Sequence, residues 1–405
     1  MVMSCLVLFS THLLGAIEEG ANAVDSPYPL MAWDYADSEQ TLTLMSECGI
    51  NMVAFVPAEM LDACERLGVK AIVFDESVSG ESWQKPFDAD SSIAGLRELI
   101  PRVNGHPAVA GYHLKDEPHP NELAALGRAS AVVRELAPGK WPYINLFPIC
   151  LENYDDYLNN FIEHCKPMYL SYDCYVLPES GGFGAHFWTH LAKYRAKSVE
   201  TGIPFFNIVL TAAHWAYREV TEVDIRLQTY GSLVYGARGI AYYKFNSRSL
   251  PILGAPDLGN FRMGPLDQFG EKTPTWHWLR NTNRQIHNLG PTMLKLRSDD
   301  VYHLGDIPED QHGPSATSLV QGLPDGSWVV GDFTHEDGSR YCMIVNKSLD
   351  RSSPCTPEFT EKPVATEYIS AFTGERATFP SPYFHLAPGQ GVLLRLRWEE
   401  GASNQ

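Results

Sequence analysis

Cysteine is sparse in this chain and scattered. The eight cysteines, at positions 5, 48, 64, 150, 165, 174, 342 and 355, form no C-x-x-C and no Cys/His grouping at zinc spacing. Neither a metal nor a disulfide framework is needed to explain them, and no cofactor is expected. Cys48, Cys64 and Cys165 fall on the apolar faces of predicted helices, where a thiol serves as a small hydrophobe. Positive charge is also short: 31 Lys and Arg stand against 49 Asp and Glu, a net charge of −18, with no basic run long enough to follow a phosphate backbone. That argues against nucleic acid and anionic membranes as partners. Neutral glycans tolerate such a surface, while a heavily sulfated one would need a local basic pocket that the total does not reveal. Beyond the first 23 residues no stretch approaches the roughly 18 uninterrupted apolar residues of a membrane helix, so no membrane insertion is expected. A G-x-G-x-x-G is missing after the first predicted strand, which makes a doubly wound dinucleotide-binding sheet the weaker α/β alternative.

What is present is a globular composition, 44% hydrophobic and 20% charged over 405 residues. That length suits a barrel of about 250 residues and a module of roughly 100. Residues 1–23 carry an apolar run at Cys5 to Phe9 and at Leu13-Leu14, followed by Ala21-Asn22-Ala23. The pattern reads as a possible signal peptide, hence a secreted or periplasmic protein. Against it stand an n-region without Lys or Arg and the Glu18-Glu19 pair before the cleavage pattern; the alternative is a frayed extension.

Residues 24–300 alternate strand and helix patterns eight times. The predicted strands are Leu30 to Tyr35, Asn51 to Val56, Val69 to Phe74, Val109 to Leu114, Trp141 to Phe147, Met168 to Tyr172, Pro204 to Leu210 and Gly239 to Phe245. Short continuous apolar strands with helices between them signal a parallel sheet buried on both faces, and eight units predict a closed (β/α)8 TIM barrel. From about Val301 to residue 400 the pattern becomes period-two alternation with turn signals, a small antiparallel, sandwich-like β domain. Within it, Asp337-Gly338 suits a type I′ hairpin turn.

In such a barrel the chemistry sits at the C-terminal ends of the strands. Gly111-Tyr112-His113-Leu114-Lys115-Asp116-Glu117-Pro118 ends the fourth strand in two carboxylates and a proline. Glycosidic cleavage needs a proton donor and usually a second carboxylate as nucleophile or base. Glu117 is the leading general acid/base, since an apolar strand raises a carboxyl pKa by desolvation. Asp116 would orient it or contact a hydroxyl; helix capping or pairing with Lys115 is the plain alternative. Asp173, at the end of the sixth strand, is the best second carboxylate, with backbone hydrogen bonding as its alternative. Asp34, Asp75 and Glu76 are further candidates that a loop salt bridge explains equally well. Trp33, Tyr112, Tyr172, His214 and Trp215 are candidate substrate-lining rings, for which core packing is the bland reading. Asn145 and Lys244 can hydrogen-bond hydroxyls or a uronate, with ion pairing beneath the loops as the alternative. Glu219 and Glu222 read as first-turn residues of a helix.

At Gly111 to Pro118 the chain resembles the clan A glycoside hydrolases, whose fourth strand ends Asn-Glu-Pro with the Glu as acid/base. Ser232 to Ile240 followed by Tyr242-Tyr243 is similar to the eighth-strand approach of β-galactosidase-like members. The resemblance spans most of residues 29 to 300 and implies a glycosidase acting on oligo- or polysaccharides, with Glu117 as acid/base. Two departures stand out: Asp116 replaces the Asn, and residues 204–215 hold no strand-seven Glu. The partner of Glu117 is then Asp173 or another strand-end acid, or the substrate supplies its own nucleophile with Asp116 orienting it, or catalysis is lost and a carbohydrate-binding barrel remains. A lyase or isomerase on the same fold stays open as well.

Overall fold

The computed structural model describes residues 28–79, 85–149, 153–247 and 260–399. The possible signal peptide at 1–23, Cys5 and Cys150 lie outside them. Eight parallel strands follow in chain order: β1 (Leu30–Tyr35), β2 (Met52–Val56), β3 (Lys70–Val73), β4 (Val109–Asp116), β5 (Trp141–Asn145), β6 (Leu170–Asp173), β7 (Phe205–Leu210) and β8 (Gly239–Tyr243). Helices α1 (Glu39–Glu47), α2 (Leu61–Arg66), α3 (Glu76–Ser79), α4 (Ala89–Val103), α5 (Leu123–Leu136), α6 (Tyr154–Cys165), α7 (His186–Thr201) and α8 (Glu222–Val234) lie between them. The ladder runs β5-β4-β3-β2-β1-β8-β7-β6. Between β5 and β6 the ring is shut by a single parallel bridge, Leu146 to Tyr172, where Leu146 N–H donates to the Ser171 carbonyl at 2.8 Å. This is the expected (β/α)8 barrel.

Local sequence explains the elements. Ser38 caps α1 by accepting from Thr41 N–H, and Asp88 caps α4 from Asp90 and Ser91 N–H. Strand side chains alternate between two cores. Met31, Trp33, Met52, Ala54, Ile72 and Phe206 fill the barrel, whereas Leu30, Ala32, Val53, Tyr112 and Tyr172 face the helices. Gly111 is required by proximity, because a Cβ there would stand 2.5 Å from the Trp141 carbonyl oxygen. The fourth strand runs two residues further than its apolar pattern, through Lys115 and Asp116, because it stays paired with β5 up to Asp116 and Asn145.

Helix α9 (Pro274–Met293) leads to the C-terminal strands β9 (Leu296–Leu304), β10 (Val320–Gly322), β11 (Trp328–His335), β12 (Arg340–Asn346), β13 (Ser353–Pro354), β14 (Glu358–Phe359), β15 (Ala365–Ile369), β16 (Arg376–Thr378), β17 (His385–Leu386) and β18 (Gly391–Arg397). Six form an antiparallel sheet, β16-β15-β18-β12-β11-β9. One face, with Phe333, Met343, Leu393 and Ile369, joins the core that covers the barrel helices. The other, with Tyr302, Val330, Ile344 and Leu394, packs on Phe379 and Leu386 as a second core. The β11–β12 turn differs from the expected type I′ form. A type I′ turn needs positive φ at both central residues, but of Asp337 and Gly338 only Gly338 has it, at 83°. Gly338 N–H bonds the His335 carbonyl at 2.8 Å, so the strands are joined by a longer turn.

Candidate active site

The fourth strand delivers its carboxyls through an abrupt change of backbone. Asp116 is still extended, whereas Glu117 has φ 44°, in the left-handed region that side chains other than glycine rarely adopt. The conformation is pinned on both sides: Glu117 N–H donates to the Asn145 carbonyl at 2.9 Å, and Tyr157 OH donates to the Pro118 carbonyl at 2.8 Å. The strained residue is therefore the one carrying the leading carboxylate.

Asn145, at the end of β5, links the acids of its two neighbouring strands. Its amide Nδ2 donates to Asp116 Oδ1 at 3.0 Å and to Asp173 Oδ1 at 2.8 Å. Its Oδ1 accepts from Ser171 Oγ at 3.0 Å, and Ser171 in turn bonds the Tyr143 hydroxyl at 2.7 Å. A polar chain thus rises from the barrel interior to the carboxyls. The Ser171 bond to Oδ1 orients the amide, so that its two Nδ2 hydrogens serve the two acids.

Among the described residues no cation forms an ion pair with these three acids. Burial, reinforced by the neighbouring Asp173 and Asp116 charges, pushes the Glu117 carboxyl up to about 9. Burial also raises Asp173, again reinforced by Asp116 and partly offset by Asn145. Asp116 is raised by burial as well, while the Asn145 amide and Lys115 pull it back. Glu117, raised furthest of the three, keeps its proton at neutral pH, the condition for acid catalysis.

Aromatic rings line the rim beside Asp173. Tyr175 stacks on Tyr243 with centroids 5.2 Å apart and meets His214 edge-on at 5.5 Å. His214 stacks on Phe261 at 4.9 Å, and its buried Nε2 has no hydrogen-bond partner among the described residues. Burial lowers its pKa to about 4, so the ring is neutral. Trp215 follows at φ 43° and is 52% exposed, an open apolar face at the rim.

Beside the same Phe261, Lys244 after β8 meets Asp34 near the end of β1. Lys244 Nζ stands 3.6 Å from Asp34 Oδ1 and 4.7 Å from the centre of the Phe261 ring. The backbone N–H groups of Asn246 and Tyr35 donate to Asp34 at 2.6 and 2.9 Å. Both charged side chains are buried, so the pair reads as an anchor of the strand ends.

The structure thus brings together Asp116, Glu117, Asp173 and Asn145, with His214, Trp215, Asp34 and Lys244 on neighbouring strand ends. It does not bring Tyr112, Tyr172 or Trp33 to an open surface. Tyr112 faces the helices and its hydroxyl donates to Asn104 at 3.3 Å. Tyr172 stacks on Tyr194 at 3.8 Å. Trp33 is packed in the barrel between Phe55 and Tyr143, at 4.8 and 5.6 Å. All three obey the alternation of their strands, which a list of aromatics near strand ends ignores. Asp75 accepts from Ser77 at the start of α3, Glu76 is in that helix's first turn, and Glu222 pairs with Arg226 at 2.9 Å. Sequence reading missed Tyr175, Tyr143 and Ser171. Tyr175 lies two residues beyond Asp173, and counting positions past the strand end would have flagged it.

No family model and no curated protein matches the chain in sequence. Solved structures do match. A glycoside hydrolase of family 5 from Bacteroides vulgatus superposes with a TM-score of 0.57 at 12% identity, over 93% of this chain and 90% of that one. A further glycoside hydrolase gives 0.52 at 13% identity, over 93% of each chain. A β-galactosidase from the psychrophilic Marinomonas ef1 gives 0.51 at 12% identity over 65% of this chain, which spans 60% of the β-galactosidase. At these identities the likeness is one of fold.

Proposed function

We propose that the chain is a glycoside hydrolase that cleaves O-glycosidic bonds in oligo- or polysaccharides. The observation that carries the reading is the set of three partly or fully buried carboxyls at the ends of β4 and β6, raised in pKa and gathered about Asn145. Glu117 holds a proton at neutral pH and delivers it to the glycosidic oxygen as the bond to the anomeric carbon lengthens. Asp173 is the second carboxylate, as nucleophile or as base for water. It takes the place left by β7, whose residues 205–210 and the following 211–215 include no acid. Asp116, held by the same amide, lies close enough to both acids to raise them. The three structural neighbours described above are named as glycosidases, which supports a carbohydrate as the substrate. Because the group's pKa values are displaced upward, both limbs of the pH profile should lie above the ordinary carboxyl range.

A second reading has a specific observation behind it. With β7 devoid of acids, Asp116 can orient a nucleophile carried by the substrate itself, or the enzyme can invert. The test is incubation of the protein and of Glu117→Gln with plant, algal and host glycans, with released sugars read by mass spectrometry. Products lost in Glu117→Gln support the assignment. Binding without products from either protein makes the barrel a carbohydrate-binding one. Products that survive Asp173→Asn within a few-fold transfer its role to Asp116 or the substrate.

A further inference from the structure

The chain as a whole carries −18, yet arginines gather on the edge of the C-terminal sheet. Cross-strand register sets Tyr341, Arg395 and Glu367 side by side on β12, β18 and β15. Arg397 lies opposite Ala365, and Arg376 opposite Ile369. This is the face whose Met343, Leu393 and Ile369 join the core over the barrel. Toward Arg395 and Arg397 the same face turns from apolar to basic.

Three guanidinium groups surround one carboxylate. Arg395 Nη1 bonds Glu367 Oε2 at 3.3 Å, whereas Arg376 and Arg397 reach Glu367 only at 4.0 Å. The side chains of Arg376 and Arg397 are 55% and 52% exposed. An arginine has five N–H donors and a carboxylate roughly four acceptor sites, so Glu367 cannot satisfy all three. Arg395 spends another donor on Ser339 Oγ at 3.1 Å, and its buried Nε has no partner among the described residues. Glu375 lines the same cleft but forms no ion pair with the three arginines. The nearby Asp299 is taken by Arg297 and Arg340, at 2.8 and 3.6 Å.

The arginines also face open volume. A cleft of about 690 Å³ is lined by Thr292, Tyr341, Arg376, Arg395 and Arg397. A second, of about 370 Å³, is lined by Phe359, Val364, Thr378 and Phe379. Glu367 and Arg397 line both. Clefts that set guanidinium groups beside the rings of Tyr341, Phe359 and Phe379 suit an oligomer with both anionic groups and the apolar faces of sugar rings. Guanidinium groups recognise carboxylate and sulfate oxygens in bidentate fashion. We propose that this groove binds an acidic glycan, with a carboxylate or sulfate between Arg376 and Arg397, apart from the barrel mouth. The choice of a glycan over another polyanion rests on the glycosidase reading; a long polyphosphate is in addition disfavoured by the acidic surface around so small a basic patch.

The full chain is titrated by affinity electrophoresis at low ionic strength with polygalacturonate, which carries only carboxylates, with κ-carrageenan, which carries only sulfates, with a neutral galactan and with single-stranded DNA. One or both acidic glycans should bind, the galactan and DNA far more weakly, and added salt should weaken the complex. The acidic polymer that binds names the anionic group. Arg376→Glu with Arg397→Glu should weaken binding about tenfold or more with an unchanged melting temperature. If that pair of changes prevents folding, Arg376→Gln with Arg397→Gln carries the same test. Binding should persist in Glu117→Gln, which separates this site from the barrel mouth: a protein that binds acidic glycans here but hydrolyses none overturns the glycosidase reading alone. No binding to either acidic glycan, binding indifferent to the arginine changes, or equal binding of DNA would overturn the proposal.

Discussion

Two acidic groups at the same end of one barrel are handled in opposite ways. Burial raises the carboxyl pKa in both. At Asp34 the neighbours counteract that rise, through Lys244 and the backbone amides of Asn246 and Tyr35. At Glu117 the neighbours add to it, because Asp173 and Asp116 are themselves acids. The first arrangement gives the acid a cationic partner and ties β1 to the end of β8. The second makes the charge unfavourable and so retains a proton that can be given away. Chemistry belongs where the fold leaves carboxyls facing one another, and architecture where it supplies a counter-charge.

This contrast can be attacked from both sides. Glu117→Gln should reduce kcat/KM on any cleaved glycan by about 10³-fold or more, the scale of losing a general acid. Asp173→Asn should cost roughly 10²-fold or more in the same assay; a loss of only a few-fold would leave Glu117 without the partner assigned to it. On the Asp34 side, Lys244→Met strands a buried carboxylate and should lower unfolding stability in denaturant by about 3 kcal/mol. Most of that loss should return when Asp34→Asn is added, because the pair is then replaced rather than broken. The smallest effect tests the sign of the Glu117 shift. A carboxyl raised to about 9 in the folded chain stays protonated where the unfolded chain has given its proton up. Its contribution is complete below the ordinary carboxyl pKa and declines as pH rises toward 9. Glu117→Gln should therefore stabilise the protein at pH 8 by on the order of 2 kcal/mol, discounted for partial exposure, and be nearly neutral at pH 4. Equal melting temperatures at pH 8 would mean that the proton is not held.

The barrel was legible because its signals are local and repeated. Short apolar runs alternating with helical patterns recur in each unit, and the first strand matches its predicted limits at Leu30 and Tyr35. The site was half legible. Asp116, Glu117 and Asp173 stood out because acids at the ends of apolar strands violate the pattern around them. Their union through Asn145 was not visible, since it depends on β5 lying between β4 and β6 and on one amide reaching both ways. The misplacement of Tyr112 and Tyr172 has the same root: proximity to a strand end was read, but the face of the strand was not. The arginine groove was hidden for a similar reason. Arg376, Arg395 and Arg397 are singletons in sequence, and only antiparallel register gathers them about Glu367.

The closure between β5 and β6 has a kinetic consequence. One backbone bridge from Leu146 shuts that seam, and the side-chain bonds of Tyr143 to Ser171, Ser171 to Asn145 and Asn145 to Asp173 all cross it. The latch of the barrel and the scaffold of the acid cluster are thus the same few atoms. Any breathing of the seam disassembles the cluster, so the deuterium uptake of the Leu146 amide is a clock for how long the carboxyls remain in register, and a ligand spanning them should slow it.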